Sequence, residues 1–260
     1  MDKEAIKKLV ANKSELIELK KGEKKFTNGL NTVISKTGTA IKGLYSNTED
    51  KLERTIVANT YMYMDSHDDV HDKGCFSKSI KERQDKIFHL HDHEFKITSK
   101  VGEPIKVYEE SVSWKDLGYN ANGTTEALLM DTEVIKDYNP QIYNEYKANK
   151  INQHSVGMQY VKIELAVNDE EYEAEYKVWK DKIDSIGNRE YAESKGYFWL
   201  VKEAKLIEVS AVLLGSNDLT PTLSQETKDI IVEAEIITSA INEAEKSLQA
   251  LNTFYNNLKI

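Results

Sequence analysis

The run Leu206-Ile207-Glu208-Val209-Ser210-Ala211-Val212 constrains the fold more than any other segment of this 260-residue chain. It is apolar and β-branched at both alternating sets of positions, the pattern of a strand covered on both faces. A carboxylate in such a strand is expensive to bury unless a charged or hydrogen-bonding group answers it. A histidine is the natural partner of Glu208, and a salt bridge to Lys202 or Lys205 is the simpler alternative. The chain therefore needs a sheet with material on both sides and a polar contact inside it.

The rest of the sequence supplies that sheet. Short β-rich runs follow one another from about 53 to 222: RTIVANTYMY, KIFHLH, PIKVYEE, ALLMDTEV, SVGMQYVKIEL, YFWLVKEA and KLIEVSAVLL. Helical interruptions are expected around 138 to 150 and in a charged stretch around 169 to 194, so strands dominate and helices cover them. The fold class this predicts is α+β, with a mostly antiparallel barrel or curled sheet as core.

Both ends differ in texture. Residues 3 to about 21 place Ile6, Leu9, Val10, Leu16 and Ile17 at helical spacing among lysines and glutamates, which predicts an exposed amphipathic helix. The stretch 22 to 50 is rich in Gly, Thr, Asn and Ser and reads as a linker arm. From Ile230 to Leu258, apolar residues recur at alternating intervals of four and three, an a/d seam for a coiled-coil or docking helix. The division is thus 1–50, 51–222 and 223–260.

Composition removes several functions. The net charge of -9 argues against a nucleic-acid binder, because phosphate contacts need clustered excess Lys and Arg. A single cysteine, Cys75, forms no internal disulfide and points to an intracellular site. No apolar run is long enough to span a bilayer, and the charged amino terminus lacks the h-region of a secretion signal.

Three strings carry candidate chemistry: Leu90-His91-Asp92, His154-Ser155-Val156-Gly157-Met158 and the Glu208 run. They offer an imidazole, a hydroxyl and a carboxylate on strand-like segments, the ingredients of nucleophilic catalysis by serine. Gly157 leaves space beside Ser155 for a substrate backbone. On one continuous strand His89, His91 and His93 would share a face, which raises a zinc site as an alternative. The stretch Asp65 to Val70 fails as a calcium loop, since Val70 stands where glycine is needed and Phe76 where the bidentate glutamate belongs. Residues 65 to 73 are expected to be a solvated polar loop, and no metal or cofactor is assigned.

In their order and their separations of 64 and 53 residues, these strings resemble the prohead proteases of tailed bacteriophages of the HK97 type, a family related in fold to the herpesvirus maturational protease. The resemblance runs from about Val57 to Thr222. It includes Lys73-Gly74-Cys75-Phe76 before the helix FSKSIKE, Val101-Gly102-Glu103-Pro104-Ile105, and Gly215-Ser216-Asn217 behind the Glu208 strand. It implies a herpesvirus-protease-like core, Ser155 as nucleophile, His91 as general base and Glu208 as the group orienting the imidazole. His89, His93 and His154 crowd the same motifs and are alternative bases. The implied substrates are scaffold and capsid-protein segments, and the chain itself, inside a procapsid in the host cytoplasm. The segment 225–260 would then serve self-association or scaffold docking. Two other readings stay open at this point: a non-catalytic capsid assembly factor, and a metal-dependent hydrolase using His89, His91 and His93.

Overall fold

In a computed structural model the described residues are 3–22 and 48–223. The heptad segment 223–260 lies outside them apart from Leu223, as does most of the 22–50 arm. The described chain is a mixed α+β structure organised on one open eight-stranded sheet.

The strands are β1 (Lys51–Thr60), β2 (Asp69–His71), β3 (Phe88–His91), β4 (Lys100–Ser113), β5 (Thr124–Ile135), β6 (His154–Val167), β7 (Tyr197–Ala211) and β8 (Thr222–Leu223). Their spatial order is β2-β7-β3-β4-β5-β1-β8, with β6 paired to β7. The long pairs β4–β5, β1–β5 and β6–β7 are antiparallel, while the short β2 and β3 lie parallel to β7. The two runs YFWLVKEA and KLIEVSAVLL, read separately in the sequence, form the single fifteen-residue strand β7. Its length lets one edge serve β2 at Trp199–Val201 and β3 at Glu208–Ala211, while the other edge pairs with β6.

Helices α1 (Lys3–Ala11), α2 (Lys13–Gly22), α3 (Ser77–Arg83), α4 (Pro140–Lys147), α5 (Glu173–Lys182) and α6 (Arg189–Lys195) complete the fold. The start of α4 is written locally: Asn139 accepts a hydrogen bond from the Ile142 amide at 3.1 Å, and Pro140 occupies the first turn, where its missing N–H costs nothing. This helix turns Tyr143 and Tyr146 inward, both fully buried. The main apolar core gathers Ile56, Leu128, Met130, Val201, Leu206 and Val209 with Tyr146. A second cluster under α5 and α6 joins Val70, Trp179, Phe198 and Leu200.

The amino-terminal residues form two helices rather than one, and they are docked rather than exposed. Ile6 is buried, and Leu9, Val10, Leu16 and Ile17 pack on the main core. The Lys20 ammonium lies 2.7 Å from Asp69 Oδ1, with the Tyr160 and Trp199 ring centres at 5.4 and 5.3 Å. Lys13 pairs with Glu175 of α5.

The expectation of a solvated loop over 65–73 is corrected as well. Asp65, Asp69 and His71 are all buried, because β2 inserts against β7 and the Asp65 carboxylate accepts the amides of His67 and Asp69. Burial, then the neighbouring Asp69 carboxylate, pushes the Asp65 carboxyl up to about 7, and burial pushes His71 down to about 4.

Candidate active site

Strand register sorts the candidate residues onto two faces. Across β7, Glu208 stands opposite Gly157 of β6 and Phe88 of β3, and Ser210 stands opposite Ser155 and Leu90. Directly paired residues share a face, and alternate residues share it too. Ser155, Gly157, Glu208 and Ser210 therefore lie together on one side, called here the front. His154, Val156, Val209, Ala211, His89 and His91 lie on the back.

Glu208 is fully buried, and both of its oxygens are engaged. Oε1 accepts from His93 Nδ1 at 2.6 Å, and Oε2 accepts from the Ser210 hydroxyl at 2.6 Å. The Ser210 oxygen in turn receives the His93 backbone N–H at 3.1 Å, so one hydroxyl fixes both carboxylate and imidazole. Gly157 is required by close approach: a Cβ there would sit 2.0 Å from Glu208 Oε1. A side chain at 157 and the buried carboxylate cannot both occupy that space.

Ser155, nearly buried, is the cross-strand neighbour of Ser210. Side chains of such pairs leave Cβ atoms about 5 Å apart. Ser155 thus shares a face with the pair formed by His93 and Glu208.

The imidazole in this group is His93, and His91 is not brought to it. His91 pairs with Ala211, which puts it on the back, where its Nδ1 meets Asp92 Oδ2 at 3.1 Å. The reason is a turn. Strand β3 ends at His91, and Asp92 and His93 both take left-handed backbone conformations, with φ of 52° and 56°. Two successive non-glycine residues in that region cost on the order of 1 kcal/mol each, and they swing the chain across the end of β3 so that position 93 reaches the front. The same turn removes the shared face expected for His89, His91 and His93. Among the described residues no group of three or more His, Cys, Asp or Glu side chains is arranged to hold a metal ion.

A carboxylate accepting from Nδ1 holds the imidazole in the tautomer whose Nε2 is basic. The front face therefore carries a hydroxyl, an imidazole and a buried carboxylate. Sequence reasoning named Ser155 and Glu208 as candidates, with His91 as base and His93 among the alternatives, and missed Ser210. The available signal for Ser210 was its position two residues after Glu208 on the same strand. For His93 the turn at 92–93 carries no glycine to announce it.

No protein family, curated protein or solved structure matches the chain. Among the described residues no helix is long and apolar enough to cross a membrane.

Proposed function

We propose that the chain is a serine endopeptidase acting by acyl transfer, with Ser155 as nucleophile, His93 as general base and Glu208 as the orienting carboxylate. The observation that carries this reading is the 2.6 Å contact between His93 Nδ1 and the buried Glu208, on the face that Ser155 shares. In this mechanism Ser155 Oγ attacks a peptide carbonyl while His93 Nε2 takes its proton. His93 then returns the proton to the leaving amine, and water, deprotonated by the same nitrogen, releases the acyl group. Glu208 keeps the ring in register and stabilises its charged form.

The resemblance to prohead proteases supplies the biological side of the proposal. On that basis the sheet curls as in the herpesvirus maturational protease, and the substrates are scaffold, capsid-protein segments and the chain itself during procapsid maturation in the host cytoplasm. The metal-dependent alternative is less well supported, because its three histidines fall on different faces.

Mass determination of the purified wild type beside Ser155→Ala, His93→Ala and His91→Ala tests the reading. Self-trimming is expected in wild type and His91→Ala and is expected to be lost in the other two. Trimming that persists in purified Ser155→Ala rules the reading out. Loss in His91→Ala with retention in His93→Ala returns the role of base to position 91.

A further inference from the structure

Behind β7, on the face away from Ser155, a chain of side chains links four elements and the loop before β8. Tyr146 of α4 lies between two histidines: its hydroxyl is 2.8 Å from His154 Nε2 and 3.2 Å from His89 Nε2. His154 Nδ1 is 2.8 Å from the Thr220 carbonyl, and His89 Nδ1 is 3.0 Å from the Thr132 hydroxyl. All of these side chains are buried.

The direction of the chain follows from one group that can only accept. The Thr220 carbonyl takes a proton from His154 Nδ1, so Nε2 of the neutral ring is an acceptor and the Tyr146 hydroxyl donates to it. The tyrosine oxygen must then receive from His89 Nε2, which makes His89 Nδ1 an acceptor facing the Thr132 hydroxyl, whose one proton is shared with the Glu103 carbonyl at 3.3 Å. From the Thr220 carbonyl to His89 each polar atom has one consistent role. Protonating His154 would set its Nε2–H against the Tyr146 hydroxyl proton, and burial pushes both rings toward the neutral form.

The placement of the two histidines gives the chain its significance. His154 immediately precedes Ser155 on β6, and His89 lies four residues before His93 on β3. These strands flank β7 on opposite edges, and Tyr146 spans between them beneath Val209 and Ala211. The Thr220 hydroxyl also clamps the His154 backbone, receiving its N–H at 3.1 Å and donating to its carbonyl at 2.8 Å.

We propose that Tyr146 is a positioning residue that ties the strand bearing the candidate nucleophile to the strand leading to the candidate base. This rests on the assignment of Ser155 and His93 above. Reaction between a hydroxyl and its base is sensitive to displacements of about 1 Å, which change rates on the order of a hundredfold. The tie removes that freedom where β3 has only four residues paired in the sheet.

The test is single-turnover labelling of the full-length protein by diisopropyl fluorophosphate, followed by intact mass. Ser155 Oγ forms the new bond to phosphorus, fluoride leaves, and the hydroxyl proton passes to His93. Tyr146→Phe keeps the ring and removes only the hydroxyl. It is expected to lower the labelling rate constant between tenfold and a hundredfold while the labelled fraction stays complete. Thr132→Val, at the far end of the chain, is expected to lower it by a smaller factor and serves if Tyr146→Phe does not fold. An unchanged rate constant overturns the proposal, as does a reduced labelled fraction at wild-type rate, the signature of a purely structural defect. Absence of labelling at Ser155 in the wild type instead defeats the hydrolase assignment.

Discussion

The two faces of β7 between Glu208 and Ala211 carry histidines a few ångströms of backbone apart, yet they give them opposite surroundings. In front, His93 meets the buried carboxylate of Glu208. Behind, His89 and His154 meet hydroxyls and a carbonyl, and burial pushes them down to about 3 and about 4. Residue type alone does not separate these roles. A two-residue alternation along three adjacent strands, broken by one turn, decides which imidazole meets a carboxylate and which two meet only uncharged groups.

The strongest way to break this contrast is to exchange the histidines. His93→Ala is expected to slow labelling of Ser155 on the order of a thousandfold or more, whereas His91→Ala changes it by less than about threefold. The labelling rate constants check both. Glu208→Ala attacks the same face through stability: removing one partner of a buried pair costs about 3 to 5 kcal/mol, seen as a lower urea midpoint at unchanged slope. Gly157→Ala sharpens the geometry, because its methyl group displaces the carboxylate from His93. A loss of about 1 to 3 kcal/mol with a fall in labelling is expected, and wild-type behaviour of this variant contradicts the packing described.

Acid distinguishes the back face. His71, His89 and His154 have folded-state pKa values below their unfolded value, so the unfolded chain takes up protons first as pH falls through about 6.5, and stability is lost below that point. Asp65, raised to about 7, works the other way, since the folded state already holds its proton between pH 4 and 7. Three groups against one leave a net loss of roughly 2 to 3 kcal/mol per pH unit between pH 6 and 5, measurable by urea unfolding at each pH. The smallest effect is expected at Lys202, which pairs at 3.3 Å with the partly exposed Glu164 and not with Glu208. Lys202→Ala is expected to shift stability by less than about 0.5 kcal/mol.

Much of this arrangement was legible in the chain. The doubly apolar run around Glu208 announced a strand covered on both sides and a histidine partner, α4 falls in the helical stretch expected around 138 to 150, and α3 matches the FSKSIKE helix that the resemblance implied. Identifying the partner required knowing where β3 stops. Alternation from His89 carried His91 and His93 onto one face, and only the left-handed turn at Asp92 and His93 reverses that. The burial of Asp65, Asp69 and His71 within 65–73 was hidden because the polarity is satisfied locally, by backbone amides on Asp65, and at long range, by Lys20 on Asp69. The role of Tyr146 depends on residues from 89 to 220, a span that no local pattern encodes.

The docking of Lys20 changes where the folding unit begins. A fragment starting at residue 51, the boundary drawn from composition, strips the cation from a carboxylate that the rest of the fold keeps dry, and uncovers the apolar surface held by Ile6, Leu16 and Ile17. Such a truncation is expected to aggregate or express poorly even though every front-face residue is still encoded. Residues 3–22 behave as a keystone: small, and missed only once removed.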